Sequence, residues 1–312
     1  MSTPAPAVAV PGAGTAPGAG PAPAPAPAST STSATATATA TASASWDPAD
    51  GVVVRGTVLL LPGRGEHPGL YGRFGRRLAF DGYRVVATAH GGEAAEPDAL
   101  AERVAEERAA LPAGAPVVLA GSDTGALLAL AAAGPAAPDG LLLVGLPTAG
   151  PRPDGAQRTG TAAEGAWTDE LTARTACPVH RDLLGSDPGY RPGALEERVP
   201  AALAEAAERS APGTPALLVH GGADPVSPPA TARRHAARLA AELLLVVDGR
   251  HDALNDAPHR SVAAAVVQWL ERLRGGPHLP VQLIPVAGPA PVPDAPQAPG
   301  DPVAHLPEGV PA

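Results

Sequence analysis

The chain has 312 residues, a net charge of −9 and one cysteine, and all 22 of its basic residues are arginine. Without lysine there is no Schiff-base chemistry and no lysine-bearing phosphate loop; without a basic stripe there is no nucleic-acid partner; and one thiol makes neither an intrachain disulfide nor a cysteine-rich zinc site. No cofactor and no metal are expected.

Residues 1–45 are almost entirely Ala, Pro, Thr, Ser and Gly, a composition that buries no core and predicts a disordered leader. The start lacks a basic n-region and its apolar runs are cut by prolines, so no secretory signal is expected. No apolar run is long enough for a membrane span, and a cytoplasmic location is the expectation. Residues 275–312 form a second Pro/Ala-rich tail, leaving 46–274 for a single α/β domain.

Within that domain apolar runs alternate with helical periods. Gly56–Leu61 reads as a buried strand, Gly69–Phe80 as a helix with Leu70, Phe74 and Leu78 on one face, and Arg84–Ala89 as the second strand. A helix over 98–110, a strand over 116–120 and a following helix come next, then a strand over 140–145. An irregular insert from about 148 to 212 carries one expected helix, 192–210. Strand 216–220, helix 228–239, strand 243–247 and helix 257–273 complete the pattern, which predicts a mostly parallel, doubly wound sheet. An insert that long reads as a cap, and its scarce aromatics Trp167 and Tyr190, with Cys177 nearby, either cover a substrate or pin the cap to the sheet.

The segment Gly121-Ser122-Asp123-Thr124-Gly125 joins a strand to a helix with glycine on both sides of a potential nucleophile, the form of a nucleophile elbow. An aspartate there also fits a helix N-cap. Ser122 becomes the nucleophile only if the turn slips by one residue, which the symmetric glycines oppose. Asp224 follows strand 216–220 and His251 follows strand 243–247, so nucleophile, acid and histidine stand in the order this fold uses, each past a strand end. Singly, Asp224 before Pro225 is a turn former and His251 a surface residue. Asp154 is a second candidate acid. The backbone amide of Thr124, with that of Gly63 or Arg64 in the loop after the first strand, would make an oxyanion hole. Glu66 and His67 read equally as supports or as solvent-facing turn residues. Asp123, His251 and Asp252 could formally bind a metal, but their spacing does not favour one.

The run Leu60-Leu61-Pro62-Gly63-Arg64-Gly65-Glu66-His67-Pro68-Gly69-Leu70-Tyr71 resembles the His-Gly-x-Gly-Glu-His-x-x-x-Tyr signature of the monoacylglycerol lipase and lysophospholipase branch of the α/β-hydrolases. Gly221-Gly222-Ala223-Asp224-Pro225-Val226 and Arg250-His251-Asp252-Ala253-Leu254-Asn255-Asp256 also resemble that branch. The resemblance implies an α/β-hydrolase fold with a small cap, and a lipase-like hydrolase of small, apolar esters. Two positions depart from it: Pro62 stands where the family has histidine, and Asp123 where it has serine. A carboxylate with an ordinary pKa of about 3.9 is already ionised, but after attack on an ester it leaves in preference to an alkoxide, by about twelve pK units. It suits displacement at saturated carbon, as in epoxide hydrolases and haloalkane dehalogenases. Those families resemble one another in an aromatic after the nucleophile, where this chain has Thr124, and the insert lacks their paired tyrosines or halide donors. A catalytically inactive small-molecule binding module is the third reading.

Overall fold

The computed structural model describes residues 43–90, 97–148 and 164–282. Strands β1 (Ser43–Trp46), β2 (Gly56–Leu61), β3 (Tyr83–Thr88), β4 (Val117–Ser122), β5 (Gly140–Val144), β6 (Ala216–Gly221) and β7 (Glu242–Val246) form one seven-stranded sheet in the order β1-β3-β2-β4-β5-β6-β7. β1 runs antiparallel to β3, pairing Ser43 with Thr88, and every other pair is parallel. β2, β4, β5 and β6 are buried at every position because helices cover both faces, which is why they read as largely apolar runs.

The period of two along each strand divides the core. Val58 and Leu60 face helices α1 (Gly72–Phe80) and α8 (His259–Arg274), where Phe74, Leu78, Val266 and Trp269 pack. Leu59 and Leu61 face α2 (Pro97–Ala110) and α3 (Thr124–Ala136), together with Leu203 of α6 (Ala201–Arg209) and Ala236 of α7 (Pro229–Leu239). The sheet is doubly wound, as expected. After β2 the chain moves to β3 on one side, then returns to place β4 on the other, so the topological switch lies between β2 and β4. Loops leaving the carboxyl ends of those two strands face a common crevice.

The structure alters several sequence expectations. β1 starts ahead of the expected domain boundary at Trp46, and Leu279, past the expected end, packs against the core. β7 stops at Val246, the last residue paired with β6; Val247 is 83% exposed and Asp248 turns the chain with φ of 54°. The cap holds α4 (Glu164–Arg174) and α5 (Pro178–Ser186), neither expected. The expected helix over 192–210 is shorter: Gly193 at φ of 84° and the turn at Ala194–Glu196 precede Pro200, and α6 begins only after that proline.

Candidate active site

Asp123 sits between β4 and α3 with φ of 51° and ψ of −121°, a strained turn for a residue with a side chain. The two glycines make the turn possible: a Cβ at Gly121 would collide with the Gly125 carbonyl, and one at Gly125 with the Leu61 carbonyl. Ser122 is paired in register with Val144 as the last residue of β4, so the turn centres on position 123 and the one-residue slip does not occur. Asp123 occupies the N-cap position of α3, its carbonyl accepting from the Ala126 amide at 3.0 Å, but its side chain makes no capping bond.

The loops after β6 and β7 bring the other two residues to the elbow. His251 Nδ1 lies 2.8 Å from Asp224 Oδ2, and its Nε2 lies 3.2 Å from Asp123 Oδ1. Asp224 also forms the turn expected of it, its Oδ1 accepting from the amides of Val226 at 2.8 Å and Ser227 at 3.1 Å. The same carboxylate is thereby held rigid while its other oxygen faces the imidazole. Asp154 lies outside the described residues.

Arg64 closes the constellation. Its amide donates to Asp123 Oδ2 at 2.9 Å, its Nε to the same oxygen at 2.7 Å, and one terminal nitrogen to Oδ1 at 2.8 Å. The other terminal nitrogen donates to the carbonyls of Leu195 at 3.2 Å and Glu197 at 2.5 Å in the cap. Asp123 and His251 are each 0% exposed, so the elbow carboxylate is sealed. The sequence expectation assigned Arg64 only a backbone amide; the side chain was missed. Its signal was the aspartate itself, since a buried carboxylate in place of a hydroxyl requires a cation, and in a chain without lysine that cation is arginine.

Charges shift accordingly. Burial alone pushes the Asp123 carboxyl up, but Arg64 and His251 together hold it well below the usual carboxylate range. Burial disfavours the His251 imidazolium, yet Asp224 and Asp123 outweigh it and raise its pKa to about 10. Burial lowers the neighbouring His220, whose Nε2 faces the Ser227 carbonyl at 2.9 Å.

The expected oxyanion donors are only partly free. The Gly63 amide donates to Glu66 Oε2 at 3.0 Å and the Arg64 amide is spent on Asp123, so neither is open to a substrate oxygen. Among the described residues the Thr124 amide donates to no acceptor. Glu66 is a support, accepting also from the Tyr71 hydroxyl at 2.5 Å, and His67 lies 3.0 Å from Asp187 of the cap. Trp167 and Tyr190 pack on each other within the cap. Their rings meet at 5.6 Å, Tyr190 donates to Glu170 at 2.7 Å, and the Arg174 guanidinium lies 5.3 Å from the Tyr190 ring, so the pair holds the cap together. Cys177 is buried beside Arg73.

A cavity of about 400 Å³ lies against the outer side of Arg64, lined also by His90, Thr124, Gly189, Arg198 and Pro200. Asp123 does not line it; Arg64 stands between. The metal trio of Asp123, His251 and Asp252 is not formed, because Asp252 turns to Arg174 at 3.3 Å. Among the described residues no helix is long and apolar enough to cross a membrane.

The profile of the family described as serine aminopeptidase, S33, matches residues 53–258. A soluble variant of monoglyceride lipase from Saccharomyces cerevisiae, solved with a substrate analogue, superposes with a TM-score of 0.57 at 19% identity, covering 74% of this chain and 91% of that one. Monoacylglycerol lipase from Paleococcus ferrophilus gives 0.56 at 20%, covering 74% and 98%, and a carboxyl esterase from Bacillus coagulans, in complex with glycerol, gives 0.52 at 17%, covering 74% and 94%. At these identities the likeness is one of fold. No curated protein matches the sequence.

Proposed function

Because the chain belongs to the serine aminopeptidase S33 family of α/β-hydrolases, we propose that it is a hydrolase of lipase or esterase type in which Asp123 is the nucleophile, His251 the base and Asp224 the residue that orients it. The observation that carries this reading is the His251 imidazole spanning Asp224 at 2.8 Å and Asp123 at 3.2 Å beneath a strained elbow.

At rest the site is an ion-pair network in which Asp123 is charged and His251 is protonated, so His251 has no lone pair for a base. Attack by an Asp123 oxygen forms an O–C bond while the leaving group departs with its electron pair. The resulting species at Asp123, a mixed anhydride after acyl transfer or an alkyl ester after displacement at saturated carbon, is neutral, which removes one of the two carboxylates that held the proton on His251. The imidazole then loses that proton to solvent or to the leaving group, takes one from water, and the hydroxide adds to the Asp123 carbonyl carbon. Collapse releases the second product and restores the carboxylate.

The same carboxylate limits the substrate. An alkoxide cannot compete with it as a leaving group, so acyl transfer requires an ester with a better leaving group. Displacement at a saturated carbon, opening an epoxide or expelling halide, is the second reading, favoured because its forward step faces no such competition. In either case Arg64 must withdraw from Asp123, and its bonds to Leu195 and Glu197 couple that withdrawal to the cap.

Single turnover in oxygen-18 water, across aryl esters, monoacylglycerols, epoxides and haloalkanes, tests both readings. Label recovered in Asp123 by peptide mass spectrometry supports the nucleophile assignment. Turnover that survives Asp123→Ala and is lost in Ser122→Ala contradicts it. Binding without any turnover supports the binding-module reading instead.

A further inference from the structure

Three segments that the sequence keeps apart bring one side chain each to a single point, His180 and Asp252 buried and Glu66 half-buried. Glu66 comes from the loop after β2, His180 from α5 in the cap, and Asp252 from the loop that carries His251. One ligand atom from each lies within 4.8 Å of the other two. His180 is 0% exposed and neither of its ring nitrogens has a hydrogen-bond partner; Glu66 Oε1 is buried and also unpartnered. Its other oxygen is fully used by the Gly63 amide and the Tyr71 hydroxyl, so the orphaned oxygen is the one left over for the cluster. His180 Nε2 stands 3.9 Å from Asp252 Oδ2, too long for a hydrogen bond. Two ligands on a tetrahedral ion with bonds near 2.0–2.1 Å stand about 3.4 Å apart, a distance that small side-chain rotations reach.

Leaving a buried imidazole and a buried carboxylate oxygen facing each other without a partner costs stability, so an occupant between them is favoured. The charge balance says which kind. Glu66, Glu170 and Asp252 surround the one guanidinium of Arg174, which reaches Glu170 at 3.2 Å and Asp252 at 3.3 Å, leaving carboxylate charge in excess. One imidazole with two carboxylates is a donor set for a borderline transition ion, whereas calcium takes more ligands and only oxygen.

We propose that Glu66, His180 and Asp252 bind a divalent transition cation of the zinc class, which fastens the cap to the two loops that frame Asp123 and His251. The ion acts by positioning: it joins the loop that carries Arg64 to the loop that carries His251 through a cap helix. The proposal does not depend on which bond the enzyme cleaves.

The full-length chain, without an affinity tag and treated with a chelator, is titrated with zinc by calorimetry while its Tm is followed. The expected result is uptake of one equivalent and a rise in Tm of about 5–10 °C at saturation. His180→Ala and Glu66→Gln each weaken uptake at least tenfold, whereas Asp123→Asn binds as the unaltered chain does. Glu66→Gln preserves volume, so it carries the comparison if His180→Ala does not fold. No saturable uptake of zinc, manganese or cobalt by the folded chain overturns the proposal, as does uptake undiminished in both variants.

Discussion

The two halves of the His251 hydrogen-bonding arrangement differ in kind. On one side Asp224 is fixed by two backbone amides and presents a single oxygen to Nδ1, a pairing that orients the imidazole and leaves Nε2 to do chemistry. On the other side Asp123 meets Nε2 while both of its oxygens are already occupied by Arg64. The difference teaches that replacing a hydroxyl by a carboxylate changes more than nucleophile strength. It brings a buried charge, the charge requires a cation, and the cation occupies both oxygens of Asp123. The resting elbow is thus assembled and shut by the same interaction.

The largest effect that would break this comparison comes from Asp123→Ala. It removes the carboxylate between Arg64 and His251, leaving two buried cations facing each other, and should cost about 3–5 kcal/mol of stability in denaturant unfolding together with all turnover. A loss under about 1 kcal/mol would mean that the network is already solvated in solution. Arg64→Ala should cost less, about 2–3 kcal/mol, because His251 remains as a partner for Asp123. Its sharper readout is access. A diazo or epoxide reagent that esterifies carboxylates should modify Asp123 at least tenfold faster in Arg64→Ala than in the unaltered chain, and equal rates would show that Arg64 does not shut the site.

His251→Gln tests the asymmetry of the two sides. It should permit the first bond at Asp123 and block the second step, so that a covalent adduct on Asp123 accumulates in intact-mass spectra and multiple turnover falls by about 10³-fold. Loss of the adduct as well would mean that His251 is needed for attack itself.

A smaller effect comes from pH. The raised pKa of His251 makes its contribution complete below the unfolded value of about 6.5 and lost as pH climbs through about 10. The depressed pKa of Asp123 makes its contribution complete above about 3.9 and lost as pH falls further. The denaturation midpoint should therefore hold steady between about pH 4 and 6.5 and decline from about pH 6.5 to 10, levelling off above that, a decline absent in His251→Gln. The smallest change is Tyr190→Phe, which removes the hydroxyl bonded to Glu170 inside the cap and should cost about 1 kcal/mol with little effect on the chemistry.

Most of the sheet, and the strand ends that carry Asp123, Asp224 and His251, were legible in the sequence. The strands of a doubly wound sheet are buried on both faces, so Val58–Leu61, Val117–Ala120 and Leu141–Val144 are apolar throughout, and such runs stand out in any window. The elbow glycines were legible for an equally local reason: a turn that admits no Cβ at Gly121 or Gly125 leaves glycine at both positions. β1 was not legible, because Ser43–Trp46 is an edge strand of small and half-exposed residues that looks like the leader before it. The cap helices α4 and α5 were hidden too: on α4, Trp167 packs on the Tyr190 ring and Arg174 lies over the same ring, contacts made across the cap rather than along one helix.

The sequence by itself determined the fold class, the alternation of strands and helices, and the chain order of Asp123, Asp224 and His251. These follow from local burial and turn sterics, which act over a few residues at a time. Only the tertiary structure decided that Arg64 spends its side chain on Asp123, that Tyr190 belongs to the cap's interior, and that Glu66, His180 and Asp252 converge. Those contacts join residues far apart in sequence, and a charged side chain buried by folding chooses its partner by distance in space, which no local pattern encodes.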